Sequence, residues 1–404
     1  MQPLYESIFM VVSTGKDIHP FFPWMKKKVK IWGTCICIEY KKEKYLLTCQ
    51  HVVIFHDVII VNTPWGKFQS EVLLEDEICD LALLKLPAEI AKKAVPIKIG
   101  IAVSGDTVYA LGFPLNFRGI SITRGIISRM TKFRYLTNYK GLVFQMDSAI
   151  EHGSSGGALL NISNELVGIT FAGIDSAESF FFSIPFFLIN NFISHLKTGI
   201  KYYRLQCEWQ TMNLEMEKYY GPGRVLLLEN EKPFSEIEGI PIKNGNQIDY
   251  ADFLKFYGYG DVKTSEQISF HYLVSIIGKA SVNCGGYKCK TEEIYRERYE
   301  PKYIQYGGYI FIPLVPYIKE KIGTKNNGFY ISDIFETKNN MSNFSFRGSF
   351  VSQINGEPAN FDNFYKLAKK KVNIFSFHNT KRKMFVNHQQ AEIDTKFVNK
   401  RLIS

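Results

Sequence analysis

The chain has 404 residues, more than one hydrophobic core usually supports, and a typical size of about 150 residues per domain predicts two or three domains. Its hydrophobic fraction of 46% excludes an intrinsically disordered protein. The formal net charge of +10 comes mostly from scattered lysines, so it favours a solvated surface, and a nucleic-acid partner is not expected. The densest basic clusters are short: Lys26–Lys28, Lys369–Lys371 and Lys381–Lys383.

The first residues lack the features of an export signal. "MQPLYESIFM" has no basic segment followed by an apolar one, and the most apolar window, residues 179–189, is too short for a bilayer and contains Pro185. The seven cysteines form no paired disulfide or metal-binding spacing, which predicts reduced thiols. We therefore expect an intracellular protein of the cytoplasm or nucleus, or a virion-associated one if the source is viral, without a membrane partner.

Short β-branched and aromatic runs alternate with turn signals from residue 29 to residue 184. About ten such runs, with no long amphipathic helix between them, predict two antiparallel β-barrels packed together. After Pro185, "FFLINNFISHL" has apolar residues at helical spacing, which predicts a closing helix. A first domain is therefore expected to span residues 1–198.

The remainder of the chain predicts two smaller modules. "GRVLLLE", "ISFHYLVSII" and "GGYKCK" indicate strands or a helix in a mixed module over residues 199–299. "YGGYIFIPLVPYIKEKIG" opens a second module over residues 300–404, and "FVSQINGEPANFDNFYKLAKKK" indicates a strand, an Asn-Gly turn and a helix. Both modules are expected to be α+β.

One serine lies in a glycine-rich stretch that suits acyl-transfer chemistry. In "EHGSSGGALL", Ser155 is flanked by Gly153 and by Gly156-Gly157. Backbone N–H groups that point into a cleft stabilise the oxyanion of such a reaction, and small residues leave room for the substrate. The alternative is a flexible turn between two strands, so the motif alone is not specific.

Two further residues complete a candidate triad. "YLLTCQHVV" places His51 at the end of a strand, and "CDLALLKL" places Asp80 immediately before one. In the order His51, Asp80, Ser155, a first barrel would supply the base and the residue that orients it, and a second barrel the nucleophile. His56 is a rival base without these flanks, and His152 is a pH-sensitive group or an exposed side chain.

The flanking residues resemble a known family. "GTCICIEYKKEKYLLTCQHVV", "CDLALLKL", "ALGFPL", "ITRGIIS" and "MDSAIEHGSSGGALLN" are similar to motifs of the Deg/HtrA serine proteases of the trypsin-like fold. Downstream, "SFHYLVSIIG", "GYIFIPLVPYI" and "QINGEPANFDNFYKLAKK" resemble the two PDZ-type domains of the plant-type Deg proteases. Ser154, Ala158, the pair Cys49-Gln50 and the pair Glu151-His152 depart from the family motifs, but none of these departures removes a triad residue.

The resemblance implies a mainly β protein with a chymotrypsin-like double β-barrel protease domain, followed by two small α+β PDZ-type domains. It implies an ATP-independent serine endopeptidase without cofactor or metal, with His51, Asp80 and Ser155 as catalytic residues. The oxyanion hole is then expected at Gly153, Ser154 and Ser155. The residues expected to form an apolar substrate pocket are Ala149, Ile150, Thr170 and Ala172.

The resemblance also implies partners. These are protein or peptide substrates, captured by PDZ-type domains through strand addition and carboxylate binding, and other copies of the chain in a trimer or a multiple of trimers. In the second module "YGGYIF" is expected to form the carboxylate loop, whereas "YYRLQC" in the first lacks glycine. The aromatic segment "HPFFPWM" is an expected oligomer contact. The alternative is a catalytically silent scaffold or chaperone that uses the same fold to bind peptides.

Overall fold

The computed structural model describes residues 2–22, 24–116, 119–134, 140–173, 180–200, 202–206, 208–228, 231–243, 245–269, 281–294, 302–306, 309–315, 318–319, 322–334, 347–369, 372–377 and 383–387. The chain divides into two compact units. The first contains Met1–Gly15 and Val29–Tyr295, and the second contains Lys16–Lys28 and Arg296–Ser404. None of the helices in the described ranges is long and apolar enough to cross a membrane.

A seven-stranded antiparallel sheet opens the fold. Its strands are β1 (Ile8–Ile18), β2 (Lys26–Tyr40), β3 (Glu43–Cys49), β4 (His56–Thr63), β5 (Gly66–Ser70), β6 (Val72–Asp76) and β7 (Leu81–Lys85), in the order β5-β4-β1-β2-β3-β7-β6. Helix α1 (Gln50–Val53) follows β3 directly. Strand β7 has four consecutive buried residues, as expected for a strand covered on both faces, and it begins immediately after Asp80.

A closed barrel follows the first sheet. It consists of β8 (Thr107–Gly112), β9 (Ser121–Arg134), β10 (Lys140–Met146), β11 (Gly157–Asn161), β12 (Leu166–Gly173) and β13 (Phe181–Pro185), in the order β10-β13-β12-β11-β8-β9. Helix α2 (Phe186–Ser194) closes it, with Pro185 at the helix N-cap. The prediction of a mainly β protein is confirmed, and so is the prediction of a helix after Pro185.

In the rest of the first unit, the described residues form three small sheets and two helices. The strands are β14 (Tyr202–Leu205), β15 (Trp209–Thr211), β16 (Val225–Leu227), β17 (Lys232–Phe234), β18 (Glu236–Ile237), β19 (Ile240–Pro241), β20 (Gln247–Asp249), β21 (Gln267–Ser269), β22 (Ser281–Cys284) and β23 (Tyr287–Ile294), and the helices are α3 (Leu214–Tyr220) and α4 (Tyr250–Phe256). They form the sheets β14-β23-β22-β18-β19, β15-β16-β17 and β20-β21. The expected element "HYLVSII" lies outside the described residues.

Helix α2 joins the barrel to this region through aromatic side chains. The ring of Phe187 lies 5.9 Å from that of Tyr250 and 5.2 Å from that of Phe253, measured between centroids. Phe186 meets Tyr259 edge to face at 5.0 Å. Both barrel and module residues belong to one continuous hydrophobic core, so α2 is a shared core element of the first unit.

The second unit is built on one further sheet. Its described strands are β24 (Ile304–Tyr306), β25 (Tyr309–Pro313), β26 (Phe329–Ile334), β27 (Phe350–Ile354), β28 (Glu357–Pro358), β29 (Val372–Phe377) and β30 (Lys383–Asn387), and they are accompanied by helix α5 (Phe364–Leu367). The order is β24-β25-β26-β27-β29-β30, with β28 paired to β27. Strand β25 therefore has hydrogen-bonded neighbours on both sides, and an extended peptide has no free edge to join there.

The aromatic segment near the start of the chain packs within this second unit. Phe21 and Trp24 contact the small core of Ile310, Ile312, Leu314 and Ile318. The ring of Phe21 lies 5.7 Å from that of Tyr330, and the ring of Trp24 lies 6.0 Å from that of Tyr303. Phe21 and Trp24 are thus partly buried within the second unit, while Met25 is exposed, and an oligomer contact through "HPFFPWM" stays a prediction.

Candidate active site

His51 is held at the start of α1 by its own backbone. The turn from β3 into α1 brings two successive N–H groups onto one residue: Gln50 N donates to Asp80 O at 3.1 Å, and His51 N donates to Asp80 Oδ1 at 2.8 Å. Because α1 also packs against β3 and β7, the backbone of His51 is fixed next to the Asp80 carboxylate. The side chain of His51 is 19% exposed, so it reaches the surface of the cleft.

Asp80 is fully buried and has an unusual backbone conformation. Its φ is +56°, in the left-handed region that Asp tolerates better than most residues. The turn before it is organised by Asp76, whose Oδ1 accepts from Ile78 N at 2.8 Å and Cys79 N at 3.1 Å. Burial raises the pKa of Asp76 to about 7.

The imidazole and the carboxylate of the predicted triad are in direct contact. His51 Nδ1 and Asp80 Oδ2 lie 2.7 Å apart. A carboxylate only accepts, so Nδ1 carries the proton and Nε2 is left with a lone pair. This is the tautomer that a general base needs.

Ser155 lies where the two β-structures meet. Its carbonyl oxygen accepts from Thr34 N on β2 at 2.8 Å. Gly33 separates it from α1: a Cβ at Gly33 would lie 2.7 Å from Val52 Cγ1 and 3.0 Å from Ser155 O. Ser155 Oγ donates to Phe171 O at 3.3 Å, which is long for such a bond. The described hydrogen bonds include none between Ser155 Oγ and His51, and the hydroxyl must leave Phe171 O before its proton can face an imidazole.

Each carbonyl group of the loop before Ser155 accepts a hydrogen bond. Glu151 O accepts from Ser154 N at 2.9 Å, and His152 O accepts from Leu115 N at 2.6 Å. Gly153 O accepts from Thr34 Oγ1 at 3.0 Å.

The next carbonyl and the glycine pair complete this pattern. Ser154 O accepts from Thr170 Oγ1 and from Gly157 N, both at 2.8 Å, and Gly156 N donates to Thr170 O at 2.8 Å. The N–H groups of Glu151, His152, Gly153 and Ser155 have no acceptor among the described residues; Glu151 and His152 are exposed, whereas Gly153 and Ser155 are partly buried. Backbone donors beside a serine nucleophile are suited to bind the oxyanion of acyl transfer, and Gly153 and Ser155 stand at this position.

The three residues expected at the oxyanion hole therefore differ in what they offer. Ser154 N donates to Glu151 O and is not free for another acceptor. Gly153 has φ +96°, which a residue with a side chain rarely adopts, and its Cβ would lie 2.6 Å from Phe113 O. Glycine at this position is thus required by both backbone and space.

The four residues expected to form the pocket lie in two different places in the structure. Ala149 and Ile150 line a cavity of about 80 Å³, together with Gly112, Pro114 and Thr123. Thr123 Oγ1 donates to Ala149 O at 2.7 Å and so fixes this wall.

The other two expected pocket residues lie on β12. Thr170 is buried, and its hydroxyl is directed at Ser154 O, so it anchors the loop. Ala172 lies in β12 opposite Phe182, and its side chain is outside the described part of the structure.

The other histidines near the site have different partners. His56 begins β4, and its Nδ1 lies 2.6 Å from Val53 O, to which it donates. His152 is exposed. Among the described contacts, no carboxylate orients either ring as Asp80 orients that of His51.

Cys49, His51 and Asp80 are the described residues that could hold a metal ion, since one ligand atom of each lies within 4.8 Å of the others. Burial and the neighbouring Asp80 carboxylate raise the pKa of the Cys49 thiol well above its usual range. The thiol lies 3.5 Å from Thr170 O, to which it donates. With a protonated thiol and a direct bond between His51 and Asp80, the geometry favours a proton-transfer pair over a metal centre.

Sequence reasoning did not single out Thr34 or Leu115. Thr34 lies in "GTCIC" and Leu115 in "ALGFPL", and both stretches are similar to family motifs. The hydrogen bonds that give these residues a role join positions far apart in sequence, and no local pattern contains that information.

Known proteases resemble this chain in sequence. Residues 33–169 match a family described as a trypsin-like peptidase domain. The chain is 28% identical over 336 residues to Protease Do-like 2, chloroplastic, of Arabidopsis thaliana, covering 74% of this chain and 54% of that protein. It is 35% identical over 160 residues to the serine endoprotease DegS of Escherichia coli (strain K12), covering 38% of this chain and 45% of that protein.

The chain thus spans about half the length of these two relatives. A third, the putative protease Do-like 3, mitochondrial, of Arabidopsis thaliana, is 24% identical over 420 residues and covers 90% of this chain and 72% of that protein. Among solved structures, the HtrA-type protease AlgW with decapeptide has a TM-score of 0.49 and 19% identity, covering 73% of this chain and 98% of that one.

Proposed function

We propose that the trypsin-like peptidase domain of residues 33–169, in a chain that resembles the Deg/HtrA serine proteases, is a serine endopeptidase that cleaves unfolded or specific proteins without ATP. One observation carries the proposal. Beside Ser155, every carbonyl of the loop from Glu151 to Ser155 has a donor, while the N–H groups of Gly153 and Ser155 have no described acceptor. That is the arrangement an oxyanion requires.

The proposed mechanism assigns one task to each group. Ser155 Oγ attacks the peptide carbonyl carbon while His51 Nε2 takes the hydroxyl proton, and Asp80 stabilises the resulting imidazolium. The N–H groups of Gly153 and Ser155 hold the oxyanion. When it collapses, the C–N bond breaks and the amine leaves with the proton from His51. Water then attacks the acyl-enzyme with His51 again as base, releasing the carboxylic acid and regenerating the serine.

The proposed domain borders are 1–198, 199–299 and 300–404, with the last two as PDZ-type modules that capture peptides or regulate an oligomer. Strand β25 has both edges occupied, so strand addition by a peptide would use an outer strand instead. In the first module β14, which contains most of "YYRLQC", is an outer strand of its sheet. A trimer, or a multiple of trimers, is the proposed assembly.

Reaction with a serine-directed fluorophosphonate probe tests the catalytic proposal. Wild-type protein should be labelled and should cleave a denatured protein, whereas Ser155→Ala should do neither, because the reagent bonds to an activated serine oxygen. Assays are made on each fraction of a size-exclusion run, so that the active oligomeric state is identified. Equal labelling of wild type and Ser155→Ala in every fraction would refute the proposal.

The second candidate is a catalytically silent scaffold or chaperone that binds peptides on the same fold. The hydrogen bond from Ser155 Oγ to Phe171 O favours it, because that bond uses the proton that catalysis requires. A silent scaffold would bind an unfolded substrate without labelling or cleavage in any fraction, and Ser155→Ala would bind as well as wild type.

A further inference from the structure

Thr34 uses every polar atom it has, and most of its bonds reach other loops. Its hydroxyl donates to Gly153 O and accepts from Phe113 N, each at 3.0 Å. Its N–H donates to Ser155 O at 2.8 Å, and its carbonyl accepts from Thr48 Oγ1 at 2.7 Å. The residue is fully buried on β2, so none of these bonds competes with water.

Leu115 holds the neighbouring peptide. Its N–H donates to His152 O at 2.6 Å, and its own backbone is left-handed, with φ 51° and ψ 27°. In a trans peptide the C=O and N–H groups point in opposite directions. A bond to His152 O therefore directs the N–H of Gly153, which belongs to the same peptide, away from Leu115.

The same reasoning applies one peptide further along. Thr34 fixes Gly153 O, and the N–H of that peptide, on Ser154, points the other way to Glu151 O. Phe113 N is bound by the same Thr34 hydroxyl, and Phe113 lies two residues before Leu115. One hydroxyl thus connects the loop of Gly153 with the turn that carries the Leu115 amide.

We propose that Thr34 and the left-handed Leu115 are positioning residues that preset the oxyanion hole of the proposed protease. Neither needs to touch the substrate. The proposal rests on the proposed function, because it concerns the orientation of the N–H of Gly153 in catalysis. Removing the Thr34 hydroxyl leaves this donor in place but releases both the carbonyl beside it and the turn that orients it.

Thr34 offers a matched pair of variants. Thr34→Val keeps the shape and removes the hydroxyl, while Thr34→Ser keeps the hydroxyl. Since misplacing a catalytic group by about 1 Å can cost about 100-fold in rate, we expect kcat to fall roughly 10- to 100-fold in Thr34→Val with KM nearly unchanged. Thr34→Ser should recover most of the loss. Ser183→Ala is the control, because it removes a buried hydroxyl that has no partner among the described residues.

Leu115 supplies a second pair that does not disturb the core, since its side chain is 58% exposed. Glycine adopts the left-handed conformation freely, whereas isoleucine does so at high cost. We expect Leu115→Gly to stay near wild type and Leu115→Ile to lose roughly tenfold in kcat. If Thr34→Val does not fold, this pair decides the question.

The two proposals fail in different ways. Wild-type protein that is neither labelled by the fluorophosphonate nor able to cleave would overturn the proposed function. An active wild type, with folded Thr34→Val and Leu115→Ile at the same kcat, would overturn the positioning role alone. A loss in Thr34→Val that appears in KM, or that serine does not rescue, would likewise reject it.

Discussion

Replacing Asp80 by Asn should abolish most activity while leaving the fold intact. Asn keeps the size of the side chain, keeps an acceptor for His51 N at 2.8 Å, and tolerates the φ of +56° as Asp does. Its amide group would face His51 Nδ1 across the 2.7 Å contact, where two donors cannot share a hydrogen bond. The imidazole proton therefore moves to Nε2, and the ring can no longer accept the proton of Ser155.

The expected fall in kcat is about 10⁴-fold, the size found when a triad carboxylate is replaced by its amide. At about 1.36 kcal/mol per tenfold change, this is about 5.4 kcal/mol of activation free energy. Steady-state cleavage of a fluorescent peptide should show the loss in kcat, with KM and the thermal unfolding midpoint little changed. Asp57→Asn, at an exposed carboxylate in the same strand as His56, is the control. A folded Asp80→Asn within tenfold of wild type would refute the assignment of Asp80.

Three further changes test separate parts of the structure. His51→Ala should abolish peptide cleavage, whereas His56→Ala should keep most of it, because His56 donates to a backbone carbonyl. The opposite ranking of the two variants in one cleavage assay would overturn the assignment of His51 as the base. For Asp76, burial raises the folded pKa from 3.8 to about 7. The folded state then keeps a proton that the unfolded state has lost. The free energy of unfolding should therefore fall as pH rises through this range, by roughly 4 kcal/mol at most. Urea melts of Asp76→Asn should show a free energy of unfolding that depends less on pH. Glu266→Ala should cost about 1 to 3 kcal/mol in urea melts, because Glu266 Oε1 accepts from Met130 N of β9 at 2.6 Å and that N–H would lose its partner; no change would show that water replaces the carboxylate.

The strand pattern and the closing helix could be read from the sequence because both have a local cause. Alternating or continuous apolar runs are a property of each strand, and Pro185 with the apolar spacing after it is a property of α2. The order β10-β13-β12-β11-β8-β9 and the closure of the barrel depend on which edges pair, and no single run contains that information. The packing of Phe21 and Trp24 inside the chain is a similar case, because an apolar ring does not specify what will cover it.

The site was predictable to the extent that chemistry requires particular residue types in a known order. His51, Asp80 and Ser155 stand in motifs, and the structure brings the first two into a 2.7 Å contact. Thr34 and Leu115, which bind the loop before Ser155, were not predictable in this way. Thr34 acts through bonds to residues 119 and 79 positions away, and a buried threonine on a strand is otherwise unremarkable in a sequence.

The structure gives one glycine next to Ser155 a packing role. The sequence alone predicts small residues that let a substrate approach. Gly156 instead faces the first sheet: a Cβ there would lie 2.1 Å from Thr34 O and 2.3 Å from Thr48 Oγ1, and its φ is +83°. A side chain at this position would push the serine loop away from β2, and the bonds from Thr34 to Gly153 and Ser155 would break. Gly156 is therefore required where the two β-structures meet, because the oxyanion donors are set by contacts that only a glycine backbone permits.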